Sequence, residues 1–173
     1  MFEPKPIRIE AVPAALEKAL RYRLLNEPVE AESICRDVLA VDPENQEALV
    51  TLLLALTDQF DDQFAQALVS AKLVLPQLAG EYERAYYEGI IYERWAKAQL
   101  DRGLPADAAS NWLREAMRCF VQAVELSGPD EPDAVLRWNA CVRALDRQSP
   151  AAPDIDRMAY DVEAGFGDDT QTF

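Results

Sequence analysis

The chain has 173 residues, half of them hydrophobic, with 17 basic against 31 acidic residues, no histidine and a net charge of −14. That is one domain's worth of sequence with enough apolar side chain for a core, which excludes general disorder. An acidic surface repels phosphate backbones and anionic lipid heads, which argues against nucleic acid and membrane surfaces as partners, leaves basic or amphipathic protein segments open, and also serves plain solubility.

Residues 1–12 read as an extended segment, because Pro4 and Pro6 block helix nucleation. With charges and no apolar run, this segment is not expected to be a signal peptide. A first helix is predicted from Pro13 to Leu25, with Leu16, Leu20 and Leu24 on one face. Asn26 to Pro28 forms a turn, and a second helix runs from Pro28 to Val41 with Ile34, Val38 and Val41 on one side. Asp42-Pro43 stops it. The next pair repeats the plan: a helix from Glu44 to Thr57 carries Leu49, Leu52, Leu53 and Leu56. A turn with Asp58, Asp61 and Asp62 places acids at the positive start of the following helix, which Pro76 ends after Leu75. The longest wholly apolar stretch, Leu52 to Leu56, is far too short to span a bilayer.

The third pair is longer. Its first helix is predicted from Gly80 to Arg102; Gly103-Leu104-Pro105 then supplies a C-cap glycine and a proline for the next start. The return helix runs from Ala106 to Leu126 and Gly128-Pro129 closes it. A seventh helix from Pro132 to Leu145 carries Val135, Trp138, Val142 and Leu145. Beyond it, Pro150 and Pro153 precede a short helix expected at Asp154 to Ala164 and a loose acidic end. The expected organisation is an extended segment (1–12), an all-α domain (13–147) and a flexible tail (148–173).

These helices repeat at a spacing of 34 residues: Ala31 recurs as Ala65, Leu39 as Leu73, Leu20 as Leu54 and Leu16 as Val50, with Pro43 answered by Pro76. A fixed period of this size means stacked helical hairpins, none of which buries its apolar face alone. The pattern resembles the tetratricopeptide repeat (TPR). Its small, tyrosine-like, small, aromatic, small and proline positions are taken by Ala19, Tyr22, Ala31, Cys35, Val38 and Pro43 in the first unit. Leu53, Leu56, Ala65, Val69, Lys72 and Pro76 take them in the second. Gly89, Tyr92, Ala116, Phe120, Ala123 and Pro129 take them in the third. The resemblance implies a right-handed superhelix of three hairpins plus a C-terminal capping helix; a plain antiparallel bundle remains the alternative. About 15 extra residues between Tyr92 and Ala116 add about two turns to each helix of the third hairpin, which should protrude. Trp95 and Trp112 would meet in that extension, either sealing it or forming a partner-binding knob.

In TPR-like arrays the first helix of each pair lines a concave groove. The resemblance implies a surface of Leu16, Leu20, Val50, Leu54, Tyr86, Tyr87 and Ile90, flanked by Glu17, Glu47, Asp58, Glu83 and Glu93. Such an apolar, acid-rimmed groove suits a protein or peptide segment with apolar anchors and some Lys or Arg. The basic clamp by which some TPR domains grip acidic chaperone tails is incomplete, represented by Asn139, Arg143 and Arg23 alone, so a peptide ending in consecutive glutamates should not bind. The chain's own ends, through Phe2, Ile7, Ile9 and Val12 or Tyr160, Phe166 and Phe173, are rival occupants.

Catalysis has little to stand on. Without histidine there is no imidazole base and no His-based metal site. No phosphate-cradling glycine loop occurs, and Asp61-Asp62 and Asp168-Asp169 fall in turn or tail. Cys35, Cys119 and Cys141 are scattered, as in reduced thiols of a cytoplasmic helical core. The sequence therefore predicts a non-catalytic, cofactor-free adaptor or scaffold. A dedicated chaperone for one client and a self-associating assembly subunit are the alternatives.

Overall fold

The computed structural model describes residues 2–60 and 64–148. Asp61 and Asp62, the tail helix expected at 154–164, and Tyr160, Phe166, Phe173 and Asp168-Asp169 lie outside the described residues. Within them the chain is all-helical, with no strand. Seven α-helices follow in order: α1 (Val12–Leu24), α2 (Pro28–Val41), α3 (Gln46–Thr57), α4 (Phe64–Val74), α5 (Glu81–Asp101), α6 (Ala106–Leu126) and α7 (Asp133–Gln148). Short 3-10 turns at Ile9–Ala11 and Leu75–Gln77 precede α1 and follow α4. No helix among the described residues is long and apolar enough to cross a membrane.

Local chemistry sets the boundaries. Proline occupies the first turn of α1 and of α2, where its missing N–H costs nothing. Asn26 turns the chain between them at φ 60°, a left-handed conformation that asparagine tolerates. Asn45 caps α3: its Oδ1 accepts from the Ala48 N–H at 2.9 Å, while its Nδ2 donates to Asp42 at 2.8 Å. Gly103, at φ 74°, reverses the chain after α5, and the Leu104 N–H returns to the Gln99 carbonyl at 3.0 Å.

Each helix packs on the next, and α1, α3 and α5 also touch one another in succession. Central α3 buries eight of its twelve residues, consistent with an apolar surface all round. One core joins Ala19, Cys35, Leu49, Leu53, Phe60, Ala71 and Trp95; a second, between α5, α6 and α7, joins Ile90, Leu113, Phe120 and Cys141. Tyr87 and Trp112 pack against both.

Three expectations need correction. First, the N-terminal segment is not wholly extended: Ile9–Ala11 winds directly into α1, and Ile7 packs with Val12, Leu16, Val38 and Ala48 at one end of the array. Second, the 34-residue register fails on α4. Ala65, Val69, Lys72 and Leu73 are exposed, and the buried stripe is Ala67, Ala71 and Val74. These lie 36 residues after Ala31, Cys35 and Val38, so the buried stripe of α4 is displaced by two residues from the 34-residue spacing. Third, α7 runs to Gln148, whose side chain accepts from Ser110 on α6 at 2.9 Å.

The third hairpin is long. Helices α5 and α6 have 21 residues each, against 11 to 14 in α1–α4, or about 31 Å against about 20 Å. They pack tightly at Gly89, where a Cβ would stand 2.5 Å from the Phe120 ring. Gly89 thus gives the aromatic its space.

Candidate functional site

The apolar stripes of α1, α3 and α5 are only partly covered by their neighbours. Leu20 is 38% exposed, and Val50, Leu54, Tyr86 and Tyr87 are half-buried. Tyr86 anchors the aromatic part, stacking on Tyr82 (5.7 Å between centroids), meeting Tyr87 edge-on at 5.1 Å and touching Phe120 at 5.9 Å. Burial above all raises the Tyr87 hydroxyl pKa, with Tyr86, Glu83 and Asp133 adding to it and Arg23 of α1 opposing. Its field thus includes groups from α1, α5 and α7.

At the C-terminal end of α1 and α3, Leu20 also borders a cavity of about 560 Å³, lined with it by Arg23, Thr57, Asp58, Phe60, Arg94 and Lys97 among others. Arg23 donates its Nε–H to Asp58 Oδ2 at 2.8 Å. Arg94 reaches the other carboxylate oxygen with Nη1, which also contacts Thr57 Oγ1 at 2.8 Å and the Leu54 carbonyl at 3.4 Å. One carboxylate therefore binds two guanidiniums from two other helices, and Arg94 caps a carbonyl of the last turn of α3.

Other expected site residues are elsewhere. Leu16 and Ile90 are core residues, buried against Val38 and Ala48 and against the α6 side respectively. Glu93 is not on a rim. It is 1% exposed between α5 and α7, with Oε1 paired to Lys97 and Oε2 3.7 Å from Arg137 without a hydrogen-bond partner. Arg137 in turn reaches Tyr86. Glu17, Glu47 and Glu83 are exposed, and Glu83 folds back over Gly80 at the start of α5.

The two tryptophans form no knob. Trp95 is 7% exposed and meets Phe60 edge-on at 5.5 Å; Trp112 stacks on Tyr92 at 5.5 Å, with the Lys72 ammonium over that ring. Gln99 is buried beside them. With its amide oxygen turned inward it accepts from Trp95 Nε1 at 2.5 Å and Trp112 Nε1 at 3.0 Å, satisfying both indoles in the interior. The exposed part of the hairpin tip is instead the run 101–107.

Arg94 and Lys97 escaped the sequence reading, although a signal for the first exists. Arg23, Asp58 and Arg94 alternate in sign at separations of 35 and 36 residues, close to the 34-residue spacing of the sequence. Among the described residues no three His, Cys, Asp or Glu side chains gather as metal ligands. Burial pushes the thiols of Cys35, Cys119 and Cys141 up to about 12, well away from a reactive thiolate. Compared with known proteins, the chain matches no family model, no curated protein and no solved structure.

Proposed function

We propose that the chain is a TPR-like superhelix of three hairpins, with α7 as its cap, that works as a non-catalytic adaptor or scaffold in the cytoplasm. Its groove takes one segment of a partner protein. The observation that carries this reading is the run of partly covered apolar side chains, Leu20, Val50, Leu54, Tyr86 and Tyr87, shared by three helices that touch in succession. Side chains of this kind anchor an amphipathic or extended segment. The exposed acids Glu17, Glu47 and Glu83 favour Lys or Arg along it and make association salt-dependent.

Partner capture from native lysate tests the proposal, with the wild-type chain and Leu20→Asp as baits. Leu20 is preferable to Leu54 because Leu54 also supports the second core. Enrichment of one protein on the wild type and its loss on the variant, with helicity and melting unchanged, is the expected result. Equal capture by both baits would place binding outside the groove.

A self-associating subunit is the second reading. Val69 and Leu73 on α4 are exposed, the latter by 66%, and Val121 and Val124 on α6 are exposed too. Light scattering over a concentration series separates the readings, since a stable monomer excludes this one.

A further inference from the structure

We infer that the cavity at the end of the groove holds a single carboxylate of the bound segment; this deepens the groove reading and rests on it. Arg23 commits Nε to Asp58, and Arg94 commits Nη1 to Asp58, Thr57 and the Leu54 carbonyl. The two Nη groups of Arg23, and Nε and Nη2 of Arg94, meet no acceptor among the described residues, and both side chains line the cavity. A guanidinium held along one edge presents its other donors as a preset fork, the geometry that suits a carboxylate. Asp58 therefore acts as a positioning residue for two such forks.

Charge and shape agree. Arg23, Arg94 and Lys97 line the cavity with Asp58 and Asp101; Lys97 is already paired with Glu93, so the positive charge beside the free donors is that of two guanidiniums sharing one Asp58 carboxylate, in a chain whose net charge is −14. Leu20, Phe60 and Ala98 share the lining and offer an apolar wall beside the donors. The exposed acids Glu17, Glu47 and Glu83 lie on the same three helices, nearer their N-terminal ends for Glu47 and Glu83. A run of carboxylates along the groove would meet them, whereas one carboxylate flanked by apolar residues would not. That group is either the α-carboxylate of a chain end or one Asp or Glu side chain.

The test uses the full chain, with nitrogen-labelled arginine side chains and labelled leucine methyls followed by NMR. Three probes are titrated: N-acetyl-Leu-Leu with a free carboxylate, the same dipeptide as its amide, and N-acetyl-Leu-Glu amide. At least one carboxylate probe should shift the Nε–H signals of Arg23 and Arg94 saturably and bind about tenfold more tightly than the Leu-Leu amide, the gain expected from one charge-assisted pair. Preference for the first acid assigns a chain end, and preference for the third a side chain. Arg94→Lys, which keeps the charge and loses the fork, should remove most of that gain while the amide binds as before. Equal binding of acids and amide, with Leu20 and Leu54 methyls responding, overturns the carboxylate site and leaves the groove standing. No response at either the arginines or the leucines overturns both.

Discussion

Arg23 near the end of α1 donates its Nε–H to Asp58, just beyond α3, across 2.8 Å, and Arg94 of α5 binds the same carboxylate. A single acid therefore sets the spacing of three helices that do not follow one another in sequence. Asp58→Asn removes the charge that holds both guanidiniums and leaves them facing each other. All three side chains are about a fifth exposed, so solvent screens the pair and the expected loss is about 1–2 kcal/mol. A urea titration checks it through a lowered midpoint at constant slope. An unaltered midpoint would mean that the network orients donors without holding helices.

Gly89→Ala should be more damaging than an alanine in a helix normally is. Alanine has the better helix propensity, but its Cβ would press into Phe120 at 2.5 Å. Overpacking of this kind costs about 1–3 kcal/mol. Phe120→Leu is expected to destabilise alone and yet to recover part of the loss when combined with Gly89→Ala. Additive effects in that double-mutant cycle would show that the two helices have room to shift apart.

Stability should fall on the alkaline side. Burial raises the Cys35, Cys119 and Cys141 thiols from 9.0 to about 12. Burial also raises Tyr82 and Tyr92 from 10.0 to about 12, aided by Glu131 at the first and Glu88 at the second. Each group keeps its proton longer in the folded chain than in the unfolded one. The folded state therefore binds more protons between these values, and stability declines as pH rises. The contribution is whole below about pH 9 and is lost toward about pH 12. Urea midpoints across that window measure it. Cys35 and Cys141, both buried, should resist a thiol reagent until urea is added; immediate reaction would contradict their placement.

Asn45→Ala tests the start of α3. Loss of the bond to the Ala48 N–H leaves a helix-end donor unmatched and should cost about 1 kcal/mol, read as a lower melting temperature. Asn45→Asp retains the acceptor but turns the donor facing Asp42 into a second carboxylate, so it should recover only part of the loss.

Most helix positions were legible because punctuation and periodicity agreed. Pro28 and Gly103 marked ends, and Ala31, Cys35 and Val38 marked a buried stripe. The α4 stripe was not legible by spacing alone. Ala65 and Ala67 are two residues apart on a helix rich in apolar side chains, and the 34-residue spacing points to the exposed one. Exposure was legible in part: Leu20, Val50, Leu54, Tyr86 and Tyr87 keep accessible surface, whereas Leu16, Ile90 and Glu93 are covered by α2, α6 and α7. The sequence showed Glu93 only as an acid one residue from Arg94. It did not show that α7 brings Arg137 to it, since such pairing depends on where a distant helix lands.

The tip of the α5–α6 hairpin has a different bearing. Its residues 101–107 are all exposed, while the indoles below it are satisfied internally by Gln99. The tip is thus remote in sequence from Gly89 and Phe120, where the two helices pack tightly. A foreign peptide inserted at Gly103, which leaves Gln99 in place, should leave the rest of the helices undisturbed. Beyond Asp101, which borders the cavity, the tip is a natural port for a reporter sequence.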